Sequence, residues 1–220
     1  DALFCGDELE ILDNVWMNNH NTHLRNSIEG FSDYEINKNH SVGISVQASE
    51  SNGIDVSDAL TEISNPGTTD KNFLRSLNDS ENKSQRFFTN LHYVGMLDTL
   101  GTKLTADFDF TNMHSDASAV LTNAYWLNQN EDQAAMDRIR NLNKMDYNIF
   151  TAKADFVKPF GKGRVLETGV KGSWVKSDNN LDLARAEEEE PYMPDPNSNR
   201  FIYKENVLAA YASYKSKFSE

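Results

Sequence analysis

Leu97-Asp98-Thr99-Leu100-Gly101-Thr102-Lys103-Leu104-Thr105-Ala106-Asp107-Phe108-Asp109-Phe110 is the stretch that decides the fold. Leu104, Ala106, Phe108 and Phe110 alternate with Lys103, Thr105, Asp107 and Asp109, the period of two of a strand with one apolar and one charged face. Upstream, Phe87, Thr89, Leu91, Tyr93, Gly95 and Leu97 share a face in the same way. Asp98-Thr99-Leu100-Gly101 is short enough to join the two as a hairpin. Setting Leu97 against Thr102 pairs Gly95 with Leu104 and Tyr93 with Ala106. A one-residue slip would carry Asp107 and Asp109 onto the apolar face, so the pattern itself specifies the register.

A second hairpin repeats the design across Pro159-Phe160-Gly161-Lys162-Gly163. Phe150, Ala152, Ala154 and Phe156 alternate with Thr151, Lys153 and Asp155. Beyond the turn, Leu166, Thr168, Val170, Gly172 and Trp174 alternate with Val165, Glu167, Gly169, Lys171 and Ser173. Asp155 and Glu167 on one face would be costly in a dry core, so this face is expected to see water. Three more strands are read from Leu24 to Tyr34, Val42 to Ser49 and Val207 to Lys215, giving about seven in all.

Each short turn is followed, one strand later, by a long polar segment: 51–83, 115–145 and 177–199 are expected as loops, with a short helix over 131–142. Strands of about ten alternating residues, tight turns at one end and long excursions at the other describe a transmembrane β-barrel. A soluble sandwich gives no reason for one-sided loops. The fold class expected is all-β, an antiparallel up-and-down meander that forms part of a larger transmembrane barrel with short periplasmic turns and long extracellular loops. Residues 1–20 are expected to be a polar loop or N-terminal segment, and 21–220 the partial barrel. No apolar run is long enough for a transmembrane helix. The chain begins without a leader-like segment, which is expected of an excised piece or a processed chain.

The formal net charge of −13 over 220 residues argues against nucleic acid as a partner. The single cysteine, Cys5, offers no disulfide and no thiolate cluster. His20 and His23 have a spacing that a helix could use for a metal, but no carboxylate or cysteine completes a set. Asp107 and Asp109 resemble a carboxylate pair, yet facing one side of a strand explains their spacing. Gly161-Lys162-Gly163 lacks the spacing of a phosphate loop. Glu187-Glu188-Glu189-Glu190 reads as solvated charge rather than a Ca²⁺ site, and Tyr125-Trp126 as a loop aromatic pair that could touch a glycan or peptide. No catalytic residue, metal or cofactor is assigned, and an enzyme is not expected. Phe87, Tyr93, Phe108, Phe156, Trp174 and Tyr214 are expected on the lipid side as an aromatic belt. Asp107, Asp109, Lys153, Asp155, Glu167 and Lys171 are expected to face the lumen.

The chain resembles the TonB-dependent-receptor-like outer-membrane β-barrel family of Bacteroidetes-type bacteria. The residues that carry the resemblance are Ile36-Asn37-Lys38-Asn39-His40-Ser41-Val42-Gly43, the stretch from Leu97 to Asp107, Phe150 to Phe156, Leu166 to Lys171 and Tyr203 to Tyr211. It implies residence in the cell outer membrane, with outer-membrane lipid, the rest of the barrel and a plug as partners. It also implies a TonB-type energiser and import of a bulky, unspecified solute. The alternative carried forward is a soluble or surface-exposed β-sandwich that binds glycans or other ligands.

Overall fold

The computed structural model describes residues 2–5, 8–64, 69–128, 135–161 and 163–216. They form one antiparallel sheet of nine strands: β1 (Ala2–Cys5), β2 (Glu8–Asn37), β3 (His40–Ser64), β4 (Lys71–Met96), β5 (Lys103–Leu127), β6 (Ala135–Gly161), β7 (Arg164–Glu187), β8 (Met193–Pro194) and β9 (Asn199–Ser216). Spatial order follows chain order from β1 to β7, and both β8 and β9 pair with β7. The meander expected from the sequence is therefore present, with seven long strands and two short ones. A strand of 25 residues such as β3 is about 80 Å long at a rise of about 3.3 Å per residue.

The first hairpin has the expected register. Leu97 N donates to Thr102 O over 2.7 Å, and Gly95 opposes Leu104 while Tyr93 opposes Ala106. Its turn is built on Asp98, whose Oδ1 accepts from the backbone N–H of Leu100 and of Thr102, each at 2.9 Å, while Oδ2 accepts from the Thr102 hydroxyl. Gly101 takes a φ of 92°, which a side chain would strain. Lys158 reaches the same carboxylate at 3.4 Å and ties the turn to β6. The hydrogen bonds, led by that from the Thr102 hydroxyl, hold the Asp98 carboxyl down at about 2.

The long segments differ from the expectation. Most of 51–83, 115–145 and 177–199 continues the strands: β3 runs to Ser64, β4 starts at Lys71, β5 ends at Leu127 and β7 ends at Glu187. Residues 8–20, read as polar loop, belong to β2, whose first residues pair with β1 and whose ladder with β3 begins at Ile11. Residues 131–134 lie outside the described set, and 135–142 are strand rather than helix, with β5 and β7 hydrogen-bonded on either side. A lone helix there would have had nothing to pack its apolar stripe against, whereas a ladder on both sides pairs every backbone group. Alternation fades in these segments because apolar residues fall on both faces among polar ones, as the neighbours Phe73 and Leu74 or Val120 and Leu121 do, so the periodic signal disappears while the backbone pairing persists. The acidic excursion after β7 is folded back: Asp195 N donates to Leu183 O at 2.8 Å, and Arg138 and Arg140 lie 5.2 and 5.1 Å from the Tyr192 ring centroid.

A sandwich would require the apolar face to be covered by a second layer. Here there is a single sheet, and its buried apolar residues among those described are only Ala184 and Ala186. Leu208 remains 79% exposed and Val170 57%. The apolar face is complete but bare.

Replacing Asp98 with Ala should free the amides of Leu100 and Thr102, which hydrogen exchange would report as faster exchange confined to this turn. Because the folded carboxyl titrates below its free value, its contribution is full above about 3.8 and is lost as pH falls through about 2. Exchange at the turn in wild-type protein should therefore be independent of Asp98 protonation at neutral pH.

Candidate functional site

Directly opposed residues on successive strands form rungs, and the rungs sort the side chains onto two faces. On the first face, Gly95, Leu104, Phe156, Thr168 and Ala212 make one rung, and Tyr34, Val42, Tyr93, Ala106, Ala154, Val170 and Ala210 the next. Ile44, Leu91, Phe108, Ala152, Gly172 and Leu208 follow, then Val46, Thr89, Phe110, Phe150 and Trp174. Leu166 and Tyr214 close the band at the turn end. Phe87, Tyr93, Phe108, Phe156, Trp174 and Tyr214 thus share this face. Phe110 and Phe150 join them, with ring centroids 4.6 Å apart. These two extend Trp174 into a row of rings across β5, β6 and β7, and only the interstrand register brings them into line.

The other face carries charge. Asp33, Gly43, His92, Asp107, Lys153, Lys171 and Ala209 form one rung, and Asp109, Thr151 and Ser173 lie on the next. Asp107, Asp109, Lys153, Asp155, Glu167 and Lys171 therefore share this second face. Several of these charges are met: His92 Nε2 lies 3.2 Å from Asp33, Asn90 donates to Asp109 at 2.6 Å, and Lys215 reaches Glu167 at 2.9 Å. Asp155 accepts from Lys153 at 2.5 Å and from the Tyr211 hydroxyl at 2.7 Å. Val157 rather than Asp155 opposes Glu167, so the two carboxylates sit one rung apart on the diagonal and each has its own cation. Gly169 makes this arrangement possible, since a Cβ there would run into the Tyr211 ring and the Asp155 carboxylate. Phe31 and Val207 interrupt the polar surface.

Other residues singled out in the sequence do not assemble. His20 and His23 are three apart on a strand, which puts them on opposite faces; His23 instead lies 3.2 Å from Asp55. Tyr125 and Trp126 belong to the end of β5 rather than to a loop, and Trp126 stacks on Phe73 at 5.7 Å. Glu187 ends β7, and Glu190 N donates to its carbonyl at 2.9 Å. Lys162 lies outside the described residues. His114, beyond the apolar rungs, is clamped by Asp146 at 2.7 Å and Asp116 at 3.0 Å, and these hydrogen bonds, that to Asp146 foremost, raise its pKa.

A family model described as the outer membrane protein beta-barrel family matches residues 95–220. No curated protein matches the chain. Among solved structures, the closed form of the ferric-catecholate import receptor Fiu from E. coli K12 is 7% identical with a TM-score of 0.26, covering 97% of this chain and 48% of that one. The chain thus spans about half the length of that receptor. The outer membrane transporter YddB from Escherichia coli is 8% identical, TM-score 0.16, covering 84% and 36% respectively. The translocator domain of autotransporter NalP from Neisseria meningitidis is 8% identical, TM-score 0.14, covering 97% and 90%. Similarities this low carry no argument about fold or function.

Gly169→Val should destabilise the sheet by about 1–3 kcal/mol through overpacking. Combining it with Tyr211→Ala should recover part of that loss, because the ring it collides with is gone. A double-mutant cycle in urea that finds the two changes simply additive would remove the contact from the account.

Proposed function

The chain belongs to the outer membrane protein beta-barrel family, and from that premise we propose that it forms part of the wall of an outer-membrane receptor that imports a bulky solute, in the manner of TonB-dependent uptake. It resides in the outer membrane. The supporting observation is the separation of apolar and charged residues onto opposite faces through seven strands, with few interruptions such as Phe31 and Val207.

The face bearing Leu91, Phe108, Trp174 and Leu208 meets lipid, and the face bearing Asp107, Lys153 and Lys171 meets the lumen. From Leu166 to Trp174 the apolar band spans about 27 Å of strand, a little over 20 Å once tilted as barrel strands are, against an apolar band of about 25 Å in such barrels. The polar ends of β3 to β7 then rise outside the membrane as a sheet wall. The charged inner face favours a wide barrel, since a small one fills its interior with side chains whereas a large one holds water or a plug. The sheet is open, and unpaired strand edges in lipid cost several kcal/mol per group, so further strands complete the wall. Within this account Asp107 and Asp109 are wall carboxylates with no catalytic task. A plug and an inner-membrane energiser do the conformational work, and the solute is bound by the outer parts of the barrel and the plug.

Val170→Arg, on the middle rung of the band, should cost about 2–4 kcal/mol in reversible unfolding from lipid vesicles. Ser173→Arg on the opposite face should cost far less; equal costs would sink the face assignment. Uptake of a solute too large for a passive pore should vanish on deleting the gene and on adding a protonophore. Import that survives the protonophore would refute energised transport.

A further inference from the structure

The apolar band ends, on β7 and β9, in an arrangement that lipid contact alone does not account for. Lys176 and Lys204 stand directly opposite each other on the rung beyond Trp174 and Asn206. Both are exposed. Like charges directly opposed across a ladder destabilise it. Neither lysine makes an ion pair among the described residues. The carboxylate next along this face, Asp178, is taken by Arg200, whose Nε and Nη2 donate to it at 2.9 and 2.7 Å; Lys176 adds only its field there. Two ammonium groups therefore converge with no counter-charge of their own.

Immediately below them lies a groove. A shallow cavity of about 960 Å³ crosses the apolar face from Val42 on β3 to Leu208 on β9, and toward the lysines it is lined by the small residues Ala152, Ala154, Gly172 and Ala210 together with Trp174 and Leu208. Trp174 reaches over Gly172, where a Cβ would come within about 2.6 Å of the indole. Gly172, Trp174 and Lys176 are successive residues on one face of β7, so the floor begins about 13 Å of strand from the lysines. The lysine pair lies on the far side of the band from the tight turns, at the height of outer-leaflet headgroups.

We propose that Lys176 and Lys204 together bind the phosphate of an outer-leaflet lipid whose acyl chain lies in the groove below. An ammonium pair suits phosphate, a strong multivalent acceptor, and relieves the repulsion between the lysines. The groove removes an acyl chain from its disordered neighbours without filling it by protein side chains. A free phosphate would use the lysines and leave the groove unexplained, which is why a lipid is the occupant. The proposal rests on the assignment of this face to the membrane.

The test uses the protein reconstituted in phosphatidylcholine vesicles containing a minor fraction of phosphatidate, with bromine on the chains of one lipid or the other. Trp174 is the reporter in a Trp16→Phe/Trp126→Phe background. Brominated phosphatidate should quench Trp174 several-fold more, per mole, than brominated phosphatidylcholine. The excess should disappear in Lys176→Gln/Lys204→Gln and in Ala154→Leu, which fills the floor, while quenching by phosphatidylcholine persists and shows that both variants are inserted. Equal quenching by the two lipids overturns the proposal and leaves the face assignment standing. Quenching by neither lipid overturns both. An excess erased by inorganic phosphate would mark a free-anion site and overturn the lipid.

Discussion

The structure depends on the two-residue period of the extended chain, held in one register from β2 to β9. Successive side chains point to opposite faces, so seven strands in step produce two continuous surfaces with no freedom to exchange residues between them. Hydrogen bonding supplies the ladder, but it is indifferent to which face is which. The apolar residues break that indifference, because a one-residue slip would carry Asp107 and Lys153 onto the apolar face and Phe108 onto the charged one. With almost no core of its own, the sheet takes its stability from pairing and from the solvent that each face meets.

The charged face shows how such a wall tolerates ionised groups in quantity. Several of its carboxylates are answered by a nearby donor, along the strand as between Lys153 and Asp155, on the diagonal as between Lys215 and Glu167, or straight across as between Asn90 and Asp109. Placing Gly169 opposite Asp155 gives the Tyr211 ring room to lie over the backbone and lets its hydroxyl reach the carboxylate. Half-solvated pairs of this kind add little stability individually. What they provide is a surface compatible with water, and a strong penalty against packing that face dry.

Outside the apolar band the strands continue although neither face is continuously apolar. β4 from Asn72 to Lys83 is rich in Asn, Ser, Asp and Glu, a composition that ordinarily marks a loop. It remains extended because strands on both sides are already aligned by the band, so each further residue adds ladder hydrogen bonds without a new cost of bringing chains together. Cross-strand pairs such as Arg75 with Asp58, at 2.8 and 3.0 Å, fasten these extensions.

The sequence by itself determined the all-β class, the two hairpins, the register at Asp98 and the partition of residues such as Phe108 and Asp107 between faces, because a one-sided apolar strand writes its period directly into the chain. It did not reveal that 51–83 and 115–145 are mostly strand, since apolar and polar residues mixed on both faces leave no period to read. Nor could it align Phe110 and Phe150 with Trp174, join Tyr211 to Asp155, separate His20 from His23, or set Lys176 against Lys204. Those relations belong to pairs far apart in the chain, and only the tertiary ladder, by fixing which residue opposes which, decided them.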